Sequence, residues 1–265
     1  MEKSLGKKVF IIEHLINENI LILTLNSPEN GNTLSLNKLN YLIERIENIS
    51  KDKKIRVLVF SSSGNIFCAG HDLKEIIKND NESFYNELFK KCSELMLKIT
   101  SLPQPVIAEV NGYASAAGCQ LVATCDLAIA SKNSYFSTPG IKIGLFCSTP
   151  MVALTRSINS KKSMQMLLTG ETIKSKEALE IGLINEVVDE KKLRDTVIQL
   201  SKKIASLPRG VLELGKKTFY SQYNLTLSDA YKLTSQVMVE NLSKKDSIEG
   251  INAFIQKRKA NWFDD

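Results

Sequence analysis

Only two histidines, His14 and His71, occur in the 265 residues. A multi-histidine metal site is therefore not expected, and no metal is. The five cysteines, Cys68, Cys92, Cys119, Cys125 and Cys147, are odd in number and include no CxxC pair. That argues against zinc and for reduced thiols in an intracellular, reducing compartment. No apolar run reaches the roughly 18 residues of a membrane span, so no membrane partner is expected. The opening "MEKSLGKKVFIIEHL" lacks both a secretory apolar core and the arginine-rich character of a transit peptide. This leaves the cytoplasm, or the mitochondrial matrix for a chain whose presequence has been removed. There is no internal repeat and no low-complexity tract.

Hydrophobic residues make up 43% of the chain and charged residues 24%, enough for an ample core. The length suits one large domain, or one domain with an appendage. The formal net charge is +6, but the lysines are spread along the chain. A nucleic-acid partner is not expected on that pattern; a preference for small anionic ligands is equally compatible with it.

"KKVFIIEHLINENILILTLN" reads as a hairpin turning at Asn17-Glu18-Asn19. Ser35 caps a helix whose Leu36, Leu39, Ile43, Ile46 and Ile49 keep helical spacing. "IRVLVFSSS" is a continuous apolar run, the mark of a strand buried on both faces. A helix with Phe84, Leu88, Cys92, Leu95 and Ile99 on one face follows, and then the strand "PVIAEVNG". "LAIASKNSYFSTPG" reads as strand and loop. The alternation predicts α/β layering. From Asn159 onward the chain reads as mostly helical, with two amphipathic helices after Pro208. A helical tail of one layer buries little by itself, so packing on another subunit is expected.

Two strands end on unusually small residues. "NIFCAGHDLKEI" passes through Cys68-Ala69-Gly70 into a helix start, and "NGYASAAGCQLVATCD" does the same around Ala117. At a strand-to-helix junction the first helical N–H groups have no partner within the helix, and the helix dipole makes them attractive to negative charge. Two such donors aimed at one point form an oxyanion hole, each worth about 3 kcal/mol to a developing anion. Small side chains let a ligand carbonyl reach the backbone. The competing explanation for either turn is tight packing alone.

Taken together, "FCAGHDL", "PVIAEVNGYASAAGCQLVATCDLAIAS", "GETIKSKEALEIGLINEVV" and "GINAFIQKRKANW" resemble successive signatures of the crotonase (enoyl-CoA hydratase/isomerase) superfamily, in family order and across nearly the whole chain. The resemblance implies an α/β fold, a crotonase-like ββα spiral core over residues 1–207, and a C-terminal helical trimerisation region over 208–265. It implies an acyl-CoA thioester as ligand, a homotrimer or hexamer, and no cofactor other than coenzyme A as part of the substrate. By that resemblance the oxyanion donors are the backbone N–H groups of His71 and Ala117. The turn of Cys68, Ala69 and Gly70 would border the adenine. Cys147 lies in a segment bordering the acyl pocket, and Lys257 would meet a CoA phosphate, in its own subunit or across a subunit boundary, or stand as a solvated lysine.

Where hydratases of this superfamily carry two glutamates, this chain has Gln120 and Gly140. Positioned acid–base groups contribute about 10²–10⁴-fold, and an amide has no useful proton to exchange. The resemblance therefore implies a hydratase-like, acyl-CoA-binding protein whose ordinary hydratase activity is in doubt. Decarboxylation of a malonyl-type thioester, or acyl-CoA binding without catalysis, stand beside it. As substitutes for the carboxylates, His71 titrates near neutrality. Cys147 would need a base, and packing is its default role. Asp72 and Glu75 read as capping or solvent-facing residues of the helix that follows the first turn.

Overall fold

The computed structural model describes residues 9–263. Lys7 and Lys8, where the first strand was expected to begin, lie outside them. β1 (Ile11–Ile16) and β2 (Ile20–Leu25) pair antiparallel, with Ile16 opposite Ile20. Asn17 and Glu18 take φ of 49° and 62°. Two positive φ values in succession give the left-handed turn that matches strand twist in a tight hairpin. The Ser35 hydroxyl accepts the N–H of Lys38 at 3.3 Å and starts α1 (Leu36–Lys51), as the sequence predicts.

The chain then winds through three turns of one pattern. β3 (Val57–Ser62) and β4 (Ile66–Cys68) precede α2 (Leu73–Lys78) and α3 (Glu82–Ser101). β5 (Val106–Val110) and β6 (Tyr113–Ser115) precede α4 (Ala117–Thr124). β7 (Leu127–Ser131) and β8 (Tyr135–Ser137) lead through a 3₁₀ turn, Pro139–Ile143, to α5 (Ser148–Ser157) and α6 (Ser160–Thr169). The first strand of each turn joins one sheet and the second joins another. The larger sheet runs β1-β2-β3-β5-β7-β10 and the smaller β4-β6-β8-β9, with the three strands of each series parallel. This is the expected ββα spiral.

Period-two alternation explains the continuous apolar strands. Leu21, Leu23, Leu58 and Phe60 face a core shared with α1, α3 and α4. Ile20, Ile22, Val57 and Val59 face the other way, onto Leu193 and Val197 of α8 (Glu190–Ala205). Every one of these strand positions is buried, so both faces of the sheet are covered, and a polar residue there needs a partner, as Glu109 of β5 finds in Ser61 and Arg194.

After Asn159 the chain is mostly helical, as expected, and the expectation that changes is the number of helices after Pro208. The stretch after Asn159 holds two further strands, β9 (Thr172–Lys174) and β10 (Glu186–Val188), around α7 (Ser175–Glu180). Three residues are too few to show a strand period against flanking helices. After Pro208 there are three helices rather than two: α9 (Arg209–Gln222), α10 (Leu227–Leu242) and α11 (Lys245–Ile255). α9 is pinned to the body by polar contacts. Lys216 Nζ reaches Asp126 at 2.6 Å and the carbonyls of Ile99 and Gln104, and Tyr220 donates to Asp126 at 2.8 Å. α9 and α10 bury no residue fully. Phe219, Leu227 and Phe254 are 57%, 76% and 86% exposed.

Candidate active site

The first turn ends β4. Ala69 N–H bonds to the carbonyl of Gly31, and Gly70 accepts the N–H of Leu34 at 2.8 Å. Gly70 sits at φ +102°, where an L side chain is strained. A Cβ there would also come within 3.0 Å of Ala116 Cβ and 3.4 Å of Ala117 N. The two turns therefore touch. The contact is tighter one residue on: a Cβ on Gly118 would lie 2.1 Å from the carbonyl oxygen of Cys68. Small residues are required here by turn-on-turn packing, whatever else they admit.

The second turn is built on a strained residue. Ala116 takes φ 49° and ψ −116°, while its N–H bonds to Ser137 O at 3.0 Å. That conformation reverses the following peptide, and Ala117 opens α4 with its N–H free. Among the described residues, neither the His71 N–H nor the Ala117 N–H has an acceptor. Backbone strain of this kind costs about 1–3 kcal/mol and persists only where surrounding structure imposes it.

His71, Ala116 and Ala117 line a cavity of about 890 Å³ together with Ala69, Gly140 and Cys147. Phe89, Ile143, Leu145 and Phe146 supply apolar wall, and Lys74 and Lys142 are the lysines that reach it. The His71 side chain lies within this wall. Its Nδ1 meets Leu34 O at 3.1 Å, and its ring stands edge-on to Phe89, with centroids 5.4 Å apart. Burial pushes the imidazole below its ordinary pKa, so it is neutral near pH 7 with Nδ1–H as the donor. Nε2 is then a bare acceptor, buried and without a partner.

Asp72 caps α2, accepting the N–H groups of Lys74 and Glu75 at 3.0 and 3.2 Å. Glu75 accepts the N–H of Leu36 and thereby caps α1. Asp72 caps the helix it was expected to cap, whereas Glu75 caps α1, thirty-nine residues back, rather than its own helix. Cys68 and Gly70 are buried beneath the cavity rather than lining it, whereas Ala69 lines it. Burial pushes the Cys68 thiol up to about 11. The Cys147 sulfur accepts the Gly140 N–H at 3.3 Å, and burial raises its pKa too. A thiol without a base stays protonated and packs.

The two glutamate positions part company. Gly140 lines the cavity, but a Cβ on it would meet Leu145 O at 2.6 Å and Cys147 Sγ at 2.9 Å. The loop has closed over the place where a side chain would start. Gln120 is 4% exposed, and its Oε1 accepts from Cys92 Sγ at 3.8 Å. Gln120 is among the residues lining a second cavity and not this one. Lys257 is exposed just past α11 and is not part of the cavity wall. Ala116, Lys74, Lys142 and Phe89 escaped the sequence reading. An alanine gives no sign of positive φ, and Phe89 falls beside the apolar stripe of α3 rather than on it.

A family profile described as enoyl-CoA hydratase/isomerase matches residues 15–265. The chain belongs to that family. It is 49% identical over 238 residues to the enoyl-CoA hydratase domain-containing protein 3, mitochondrial, of Xenopus laevis, covering 90% of this chain and 81% of that one. The crystal structure of human enoyl-CoA hydratase domain-containing protein 3 superposes with a TM-score of 0.93 at 46% identity, over 96% of this chain and 100% of that one. An enoyl-CoA hydratase of Mycobacterium smegmatis superposes with a TM-score of 0.94 at 40% identity, over 96% and 99%. The α/β spiral of this family member is thus shared along its length. Among its described residues no group of His, Cys, Asp or Glu is placed to hold a metal, and no helix is long and apolar enough to cross a membrane.

Proposed function

We propose that the 890 Å³ cavity binds the thioester of an acyl-CoA, with its carbonyl oxygen between the N–H groups of His71 and Ala117. The observation that carries this is the pair of unpaired donors on two touching turns that line one apolar cavity. Such donors stabilise an enolate or tetrahedral oxygen without any reorganisation during the reaction. Lys74 and Lys142 are the cations of the cavity wall that suit the CoA phosphates, a role Lys257 could take only from another subunit. No cofactor is needed beyond the coenzyme A of the substrate. Replacing Ala117 with tryptophan should fill the approach to both donors. In a folded Ala117→Trp protein, calorimetry should read weaker acyl-CoA binding, and any turnover should fall by about 10²–10³-fold, the worth of one donor to the developing anion. Unchanged affinity would place the site elsewhere.

Without a carboxylate at residue 120 or 140, ordinary hydration lacks its acid and base. Decarboxylation of a malonyl-type thioester needs only the donors and an apolar wall that strips water from the leaving carboxylate, which Phe89, Ile143, Leu145 and Phe146 resemble. Assays with enoyl-, malonyl- and saturated acyl-CoA separate a residual hydratase, a decarboxylase and a binder without turnover.

The division into a core of 1–207 and an oligomerisation region of 208–265 belongs to the same proposal. The exposed apolar side chains of α9–α11 support a trimer, or a hexamer built from two. Sedimentation should give at least three copies per particle at micromolar concentration; a monomer would remove the oligomerisation role. The mitochondrial names of the relatives favour the matrix over the cytoplasm.

A further inference from the structure

Behind the second turn, four hydroxyl groups form a file from the surface to the cavity. The smaller sheet sets them side by side. Ser115 of β6 is opposite Ser137 of β8, and Ser137 is opposite Thr172 of β9. Tyr113 stands two residues before Ser115, so strand alternation puts it on the same face. The residues between them, Ala114, Phe136 and Ile173, belong to the core instead. Thr172 is exposed, Tyr113 is half-buried, and Ser137 and Ser115 are buried. Ser115 lines the cavity.

The direction of the bonds follows from the protons available. Each hydroxyl has one to give. Ser137 donates to Ser115 Oγ at 3.4 Å. In the 2.6 Å bond with Ser137, Tyr113 must then be the donor, and in the 3.3 Å contact with Thr172 the threonine. Every donor in the file therefore points toward the cavity, and the Ser115 proton has no acceptor among the described residues. The Ser137–Ser115 link is longer than an ordinary hydroxyl bond, as catalytic contacts often are before substrate tightens them. Ser148 of the same wall differs, because it spends its proton on Phe146 O at 3.3 Å.

Both turnover readings of the cavity pass through one intermediate. Water adding to an enoyl thioester, or CO₂ leaving a malonyl thioester, gives an enolate that must take a proton at its α-carbon. Residues 120 and 140 offer no acid for this. Ser115 lies two residues before the Ala117 donor, and the α-carbon lies two bonds from the thioester oxygen that donor would hold. A hydroxyl is a stronger acid than the α C–H of a thioester, so the transfer runs downhill.

We propose that Ser115 protonates the α-carbon of the bound enolate and is resupplied from solvent through Ser137, Tyr113 and Thr172. This deepens the acyl-CoA reading, on which it rests. The Ser115 O–H bond breaks as the Cα–H bond forms. The alkoxide takes the Ser137 proton, Ser137 takes that of Tyr113, and Tyr113 takes that of Thr172, which water replaces. The net change is one proton drawn from solvent.

The test runs methylmalonyl-CoA and crotonyl-CoA in D₂O and reads the configuration of deuterium at the product α-carbon by NMR of a chiral derivative. A fixed donor delivers deuterium to one face, whereas free solvent has no fixed side. The wild type should give one configuration from whichever thioester it turns over. Ser115→Ala should scramble it and slow turnover by about 10²–10⁴-fold, while Ser115→Thr, which keeps a hydroxyl, should preserve it. Tyr113→Phe cuts the file behind Ser137. Its first turnover should match the wild type and later ones should lag, because only the resupply is lost. A scrambled label in the wild type, or a single configuration at the wild-type rate in Ser115→Ala, would overturn the proposal. So would first and later turnovers of equal rate in Tyr113→Phe, a result that decides the matter even if Ser115→Ala fails to fold. A wild type that turns over neither thioester would overturn it as well. Acyl-CoA binding that Ala117→Trp weakens would then leave the acyl-CoA reading standing without the relay.

Discussion

The two turns of the candidate site solve one geometrical problem with different residues. Each must reverse the chain between a buried strand and a helix and leave an N–H free. In the first turn the positive φ falls on Gly70, which adopts it without a Cβ clash. In the second it falls on Ala116, at φ 49° and ψ −116°, where alanine is strained. The glycine of the second turn is spent elsewhere. Gly118 sits against the Cys68 carbonyl, where no side chain fits at all. Close packing between the turns therefore took precedence over backbone comfort within one of them.

The largest way to break this comparison is Gly118→Val. Its Cβ would lie 2.1 Å from a backbone oxygen, which cannot swing aside as a side chain would. The protein should lose about 4 kcal/mol or more of stability, read as a lowered urea midpoint or as failure to fold. A near-normal midpoint would mean that the turns are not in contact.

Next in size is the missing acid–base pair. The wild type should hydrate crotonyl-CoA about 10²–10⁴-fold more slowly than family hydratases assayed beside it. Gln120→Glu combined with Gly140→Glu should not restore the rate. Residue 140 has no room for a Cβ until the Leu145–Cys147 segment moves, and Gln120 lies outside the first cavity. Recovery of hydration in that double variant would show that the loop yields and that only the carboxylates were lacking. Ordinary rates in the wild type would show that they were never needed.

The smallest effect is the sharpest probe of the two turns. Ala116→Gly should stabilise the fold by about 1 kcal/mol. It relieves strain of about 1–3 kcal/mol and is offset by about 0.4–1 kcal/mol of extra chain entropy in the unfolded state. Gly70→Ala should do the opposite, because it adds a Cβ at φ +102° and 3.0 Å from Ala116 Cβ. Equal and opposite shifts in the denaturation midpoint would support a cost carried by backbone conformation. Destabilisation by both changes would place that cost in side-chain packing.

Some of this was legible from residues alone. The hairpin at Asn17-Glu18, the Ser35 cap, the two-faced strand "VLVFSS" and the apolar stripe of α3 are local patterns, and each formed as its pattern demanded. The two small-residue turns could be recognised as a pair, and the capping role of Asp72 could be anticipated, but that of Glu75 on α1 could not. The strands β9 and β10 and a third C-terminal helix could not be resolved. Their segments are short, or their apolar residues are exposed, and periodicity depends on a buried face long enough to repeat.

By itself, then, the sequence determined the strand–helix alternation of the first half of the chain, the absence of carboxylates at 120 and 140, and the smallness of the turn residues. These depend on neighbours in the chain or on what an amino acid lacks. Tertiary structure alone decided what the smallness is for, since Gly118 meets Cys68 across fifty residues of sequence. It also decided that the loop beyond Pro139 closes on Gly140, that Gln120 turns to Cys92 and away from the first cavity, and that Lys74 and Lys142 reach the cavity while Lys257 does not. The physical reason is the same in each case. A side chain's direction is set by what packs against it, and in this spiral the packing partners come from the next turn of the chain.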